Sequence, residues 1–256
     1  PLQPRPRLAA AGPRRIPTAL LLPGGWNPGD TPLPVLMDPY GGPHHALVHS
    51  AARGYLEAQW WAEQGFAVVV ADGRGTPGTP SWEREVRFDL AGAPLADQVD
   101  ALQAVAAAHP GVLDLDHVAI RGWSFGGYLA GLAVLSRPDV FHAAVAGAPV
   151  TDWADYDTAY TERYLGLPDE HPEAYARGDL VELAADLTRP LLVIHGLADD
   201  NVAAANSLRL SSALLAAGRA HTFLPLSGVT HMTPQEVVAE NLLLLQLDFL
   251  RRALSL

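Results

Sequence analysis

The sequence predicts an α/β fold, a mostly parallel central sheet with helices on both faces, and three observations predict it. Short runs rich in β-branched residues alternate with longer runs of helical period. Residues 66–71 and 191–194 are apolar throughout, as strands covered on both faces are. Strand, helix and strand in succession imply parallel crossovers. Composition agrees, because 49% hydrophobic and 18% charged residues describe a chain that can bury a large core. At 256 residues one large α/β domain fits as well as two small ones, and no linker divides the chain.

Taken in order, residues 1–15 are rich in proline and arginine and read as a tether continuing from an upstream domain, so that residues 1–17 lie outside the fold and the domain starts near Thr18. Candidate strands follow at residues 18–22, 34–37, 67–71, 118–122, 143–146, 190–195 and 221–226. The first two could instead form an antiparallel edge. Helical patterns occupy residues 55–64, 97–108, 125–135, 206–217 and 234–253. The last is signalled by Thr233 as its cap, Pro234 in its first turn and Glu236 three residues after the cap. Its apolar face, Leu242, Leu243, Leu245, Leu247, Phe249 and Leu250, is broader than one stripe and suits a core or subunit-facing helix.

The formal charge of −11 disfavours nucleic acid or an anionic membrane as partner. No charge-free apolar run approaches the ~18 residues of a membrane span. All 17 basic residues are arginine, and there is neither lysine nor cysteine. Schiff-base chemistry and a P-loop need lysine, so both are excluded. Thiol nucleophiles, disulfides and thiolate metal sites fall with cysteine.

Gly122-Trp123-Ser124-Phe125-Gly126 is a G-x-S-x-G sequence where a strand should meet a helix. A serine at such a tight turn projects its hydroxyl from the top of the sheet, and the glycines let strand and helix approach closely. A helix-capping serine after a turn glycine is the plainer alternative. A nucleophile needs a base and the base an orienting carboxylate, in chain order serine, acid, histidine. Of the later histidines, His171 lies in a polar loop, His195 inside a strand and His221 at a strand start. His231, in the loop 227–233 after the last strand, is the best base. The loop after the strand at residues 190–195 offers Asp199 and Asp200, either of which could orient it, and spacing does not choose.

Four segments carry a resemblance over nearly the whole chain: Asp38-Pro39-Tyr40-Gly41-Gly42-Pro43; Gly122-Trp123-Ser124-Phe125-Gly126-Gly127-Tyr128; Tyr156-Asp157-Thr158-Ala159-Tyr160-Thr161-Glu162-Arg163-Tyr164-Leu165-Gly166; and His195-Gly196-Leu197-Ala198-Asp199-Asp200-Asn201-Val202. The chain resembles the catalytic domain of the prolyl oligopeptidase family, nearest its dipeptidyl peptidase IV branch. The resemblance implies an α/β-hydrolase peptidase domain over residues 18–256, with Ser124 as nucleophile, Asp199 as triad acid and His231 as base. It puts the Tyr40 hydroxyl and the Phe125 backbone N–H in the oxyanion hole. Trp153, Tyr156 and Tyr160 are spaced to share one helical face, which alone reads as an aromatic stripe of the core. The resemblance makes these three, with Phe125, Val150 and Val202, the walls of a compact slot suited to proline or alanine. Asn201 would hydrogen-bond the carbonyl of the preceding substrate residue. His44 and His45 are expected to be solvated, and Asp72-Gly73-Arg74-Gly75 to be a scaffold turn or ion pair.

The expected activity is therefore cleavage of short peptides after proline, or less readily alanine, near the amino terminus through an acyl-enzyme. No cofactor and no metal is expected. The expected partners are the peptide substrate, an upstream β-propeller that would grip the free amino terminus, and a second copy of the chain through the last helix. The rivals are an acylaminoacyl peptidase or esterase of the same fold, and a silent hydrolase fold used for binding.

Overall fold

In the computed structural model, residues 2–233 and 235–256 are described. Among them, runs of valine, leucine and alanine build eight strands: β1 (Arg7–Ala11), β2 (Ile16–Leu21), β3 (Leu33–Met37), β4 (Ala67–Ala71), β5 (Leu113–Trp123), β6 (Ala143–Gly147), β7 (Leu191–Gly196) and β8 (Thr222–Leu226). The helices are α1 (Leu56–Glu63), α2 (Pro80–Arg84), α3 (Gly92–Ala108), α4 (Phe125–Ser136), α5 (Thr158–Leu165), α6 (Pro172–Ala176), α7 (Ala205–Ala216) and α8 (Glu236–Leu254). One sheet results, in the order β1-β2-β4-β3-β5-β6-β7-β8, parallel from β4 through β8.

Every residue of β4, β6 and β7 is buried, so alternate side chains feed two cores. Val35, Met37, Val69 and Val193 join Val99, Leu102, Leu129, Leu132 and Leu210 from α3, α4 and α7 on one face. Leu36, Val68, Val70 and Ile194 meet Trp61 of α1 and Leu247, Leu250 and Leu254 of α8 on the other. This two-sided cover is what the uniformly apolar runs signalled.

Four expectations are corrected. Residues 7–17 are not a tether outside the fold: β1 pairs antiparallel with β2, from Arg7 opposite Leu20 to Ala11 opposite Ile16, so the sheet begins before Thr18. Only Ala11 of β1 is buried, and an exposed edge strand carries no alternation to find. The run at residues 34–37 is no antiparallel edge. As β3 it lies parallel between β4 and β5, and among the described strands the antiparallel pairs are β1–β2 and β2–β4. Helix α3 starts at Gly92, five residues early, because the Asp89 carboxylate accepts the N–H groups of Ala91, Gly92 and Ala93 at 3.2, 2.6 and 3.2 Å. Helix α8 begins at Glu236 with Gln235 before it and no side-chain cap, so Thr233 does not cap it. The expected role of Pro234 lies outside the described residues.

The parallel strands β3, β5, β6 and β7 point the same way, so the loops that follow them gather at one end of the sheet. Those loops hold Tyr40, Ser124, Val150 to Tyr156, and Asp199 to Val202.

Candidate active site

Ser124 lies between β5 and α4 at φ 58° and ψ −119°, a backbone conformation costly for a residue with a Cβ, by about 1–3 kcal/mol. Close packing enforces it. A Cβ on Gly122 would lie 2.4 Å from the carbonyl oxygen of Gly126, and one on Gly126 would lie 2.5 Å from that of Pro39. Ser124 N–H donates to the Gly147 carbonyl at 2.9 Å, which ties the turn to β6. Phe125 is the first residue of α4, so its N–H has no partner within the helix and is open to an anion beside Ser124.

The turn after β7 carries Asp199. Asp199 Oδ1 accepts the N–H groups of Asn201 and Val202, both at 2.9 Å, and Oδ2 lies 2.8 Å from His231 Nδ1. Its side chain is fully buried, whereas Asp200 is exposed. Asp199, and not the exposed Asp200, is thus the carboxylate in contact with His231. The loop bearing His231 is fastened on two sides: Ala198 N–H donates to the Val229 carbonyl at 3.0 Å, and Trp123 Nε1–H to the His231 carbonyl at 2.7 Å. Because Nδ1 faces the carboxylate, it carries the proton, and Nε2 is left as the basic nitrogen. His231 and Ser124 line the same cavity of about 690 Å³, with Tyr40 and Asn201. The direct Ser124–His231 hydrogen bond is not formed, and such catalytic bonds commonly close only around bound substrate.

Tyr40 follows β3 in the Gly-Gly-Pro loop. Burial pushes its phenol above the ordinary value, and the Ser124 hydroxyl beside it partly offsets this, so it stays a neutral O–H donor. Behind the nucleophile, Arg121 of β5 donates to both oxygens of Asp38 at 3.1 Å, to Glu57 at 2.7 Å and to Gln246 at 3.2 Å. Burial raises the Asp38 carboxyl to about 6, Arg121 opposing and Glu57 adding to the shift.

The aromatic residues come together in one cluster, though not on one helical face. Trp153 belongs to a 3₁₀ turn, Tyr156 is extended, and Tyr160 sits in α5, which starts anew because the Asp157 carboxylate accepts Tyr160 N–H at 2.9 Å. The rings converge all the same. Trp153 stacks on Tyr160 at 6.0 Å and 13°, and meets Tyr156 at 5.9 Å and Phe125 at 5.7 Å. Val150 and Val202 are buried with them. Tyr156 O–H donates to Asn201 Oδ1 at 3.0 Å, which turns the Asn201 amino group outward as a donor.

Sequence reasoning missed Tyr128 as part of this cluster. It is buried, 4.9 Å from Trp153 and 5.5 Å from Phe125, and its place one turn beyond Ser124 on α4 was the available signal. His44 and His45 are exposed but not merely solvated: His44 Nε2 lies 2.9 Å from the Tyr164 hydroxyl, and His45 packs edge-on to Tyr40 at 5.2 Å. The Asp72–Gly75 turn is scaffold, as expected. Arg74 pairs with buried Asp97 at 2.8 Å, and Asp72 accepts the N–H groups of Leu47 and Val48 at 3.0 and 2.7 Å. His171 and His221 lie elsewhere, the first stacked on Phe88 at 4.2 Å and the second bonded to Ser211 at 2.7 Å.

The chain is similar to known peptidases in sequence and in fold. The sequence profile of the prolyl oligopeptidase family matches residues 53–256. Human dipeptidyl peptidase 8 is 40% identical over 192 residues, which cover 73% of this chain and 21% of that protein. Dipeptidyl peptidase family member 2 of Caenorhabditis elegans is 35% identical over 203 residues, 78% of this chain and 24% of the relative. The crystal structure of Porphyromonas gingivalis dipeptidyl peptidase 4 superposes with a TM-score of 0.88 at 27% identity, covering 98% of this chain and 36% of that one. The chain therefore spans about a fifth to a third of the length of the proteins it matches.

Proposed function

The chain belongs to the prolyl oligopeptidase family, and on that footing we propose that it is the catalytic domain of a serine peptidase that releases dipeptides by cleaving after proline, or less readily alanine. The observation that carries the reading is the 2.8 Å contact between His231 Nδ1 and buried Asp199, which leaves Nε2 as a base in the cavity that also holds the strained Ser124. His231 takes the Ser124 proton as Oγ attacks the scissile carbonyl. Asp199 stabilises the imidazolium that forms, and the same ring then protonates the leaving amine. Charge developing on the carbonyl oxygen is met by the Tyr40 hydroxyl and the Phe125 N–H. Water, activated by His231, hydrolyses the acyl-enzyme.

The selectivity follows from shape. On this reading the aromatic cluster of Trp153, Tyr156, Tyr160 and Phe125, with Val150 and Val202 buried beside it, walls a flat apolar slot that suits a pyrrolidine ring or a methyl group and excludes branched side chains. The Asn201 amino group donates to the carbonyl of the residue before it. An upstream β-propeller that grips the substrate's amino terminus, and pairing of two copies through α8, belong to the same proposal. The much greater length of the matched relatives is consistent with the former. The test is hydrolysis of a Gly-Pro chromogenic amide by the full chain and its Ser124→Ala variant. Turnover is expected to vanish while folding is kept, and retained turnover would refute the nucleophile. Preference for acetylated over free Ala-Pro amides would instead mark an acylaminoacyl peptidase.

A further inference from the structure

One buried titratable group takes no part in the mechanism above. His195, at the end of β7, is fully buried, and its ring lies against the turn that carries the acid. Its Nδ1 is 2.6 Å from Ser207 Oγ of α7. Its Nε2 is 2.9 Å from the Val202 carbonyl oxygen and 3.3 Å from Asp199 Oδ2. Both oxygens facing Nε2 are acceptors without a proton, so Nε2 must carry the hydrogen, and Nδ1 accepts the Ser207 hydroxyl proton. The Nε2–H is directed to the Val202 carbonyl, with Asp199 Oδ2 0.4 Å farther from the nitrogen.

A buried carboxylate offers about four acceptor positions. At Asp199 three are taken by the N–H groups of Asn201 and Val202 and by His231 Nδ1. We propose that His195 supplies the fourth donor and is the positioning residue of the acid, holding Asp199 Oδ2 on the line to His231 while fixing the Val202 carbonyl at the wall of the substrate slot. The inference rests on the triad reading, because it concerns how that acid is held. It requires a neutral ring, and burial drives the His195 imidazole below its ordinary value, with the Val202 carbonyl and Asp199 opposing the shift only in part. The titratable groups facing the ring are Asp199 and His231, and its other contacts, Ser207 and the Val202 carbonyl, are neutral. A protonated ring would lose the Ser207 proton as a hydrogen-bond donor to Nδ1 and would place a full charge beside His231.

Two substitutions separate the two ends of the ring. In His195→Asn the amide sits near the Nδ1 position and can still accept from Ser207, but nothing reaches Asp199. In His195→Gln the amide reaches the Nε2 position and restores a donor. With a Gly-Pro chromogenic amide, the Asn variant is expected to lose about tenfold in kcat with KM within about twofold, as befits one long bond to a charged group. The Gln variant should recover most of that loss. Equal loss in the two variants, or an Asn variant with wild-type kcat, would overturn the proposal. Nitrogen-15 spectra of the wild-type histidines test it without any variant: His195 is expected as the neutral Nε2–H tautomer, and an Nδ1–H tautomer would refute it. If Ser124 of the wild-type enzyme fails to react with a fluorophosphonate probe, the triad reading itself fails, an outcome distinct from either result at His195.

Discussion

Replacing Asp199 by asparagine separates the triad acid from its neighbour Asp200, which the sequence could not do. The substitution keeps the size of the side chain and removes its charge and one acceptor. In the native turn Oδ1 is held by two backbone N–H donors at 2.9 Å each, so the asparagine carbonyl must remain there. Its amino group then occupies the Oδ2 position, 2.8 Å from His231 Nδ1. Two N–H groups cannot face each other at that distance. His231 must move its proton to Nε2 to accept from the amide, and a ring protonated at Nε2 cannot take the proton of Ser124. The same amino group also confronts the Nε2–H of His195. The expected loss is about 10⁴-fold in kcat, the size seen when a triad is left in the wrong tautomer. At 1.36 kcal/mol per tenfold this is about 5 kcal/mol of transition-state stabilisation. Both backbone donors keep their acceptor, so the melting temperature should fall by only a few degrees. Initial rates on a Gly-Pro chromogenic amide, with Asp200→Asn as the paired control, provide the assay. Asp200 is exposed, and its variant should stay within about twofold of wild type. Asp199→Asn with activity within tenfold of wild type, or equal damage from both variants, would refute the assignment of the acid.

Tyr40→Phe removes one oxyanion donor without disturbing the ring packing on Phe125 at 6.0 Å, and should lower kcat about 10²-fold with KM nearly unchanged in steady-state kinetics. Tyr156→Phe releases Asn201 from its 3.0 Å bond, so KM for Ala-Pro amides should rise about two- to tenfold while reactivity toward a fluorophosphonate stays at the wild-type rate. Asp38, raised by burial from 3.8 to about 6, holds its proton more tightly folded than unfolded, so its contribution to stability falls as pH rises from 4 to 6 and is level above that. Thermal melts of Asp38→Asn against wild type should accordingly show the variant gaining relative stability across that window, and a difference that does not change with pH would contradict the shift.

The family's local signatures were legible because each is a short piece of backbone chemistry. Gly122 and Gly126 flank Ser124 since no side chain fits where strand and helix touch, and that constraint is written within five residues. The chain order serine, acid, histidine follows from which strand ends meet at one edge of a parallel sheet. By contrast β1 was hidden, because an edge strand with a single buried residue has no apolar alternation. The aromatic spacing of Trp153, Tyr156 and Tyr160 misled for a different reason. Asp157 starts a new helix between the second and third, and the rings meet through packing rather than through a common helical face.

The residue types, their order and the two-faced sheet were thus set by the sequence through periodicity and steric exclusion, which act over a few residues. Which carboxylate meets His231, and which histidine lies beside it, was decided only by folding. Asp199 and Asp200 are chemically alike and adjacent. One is buried under His231, with Oδ1 held by two N–H donors of its own turn and Oδ2 2.8 Å from His231 and 3.3 Å from His195, and the other faces solvent. His195 reads as one more buried strand residue until the turn after β7 brings Asp199 back within 3.3 Å of its ring. Hydrogen bonds between groups remote in sequence depend on where whole elements pack, and no local pattern encodes that.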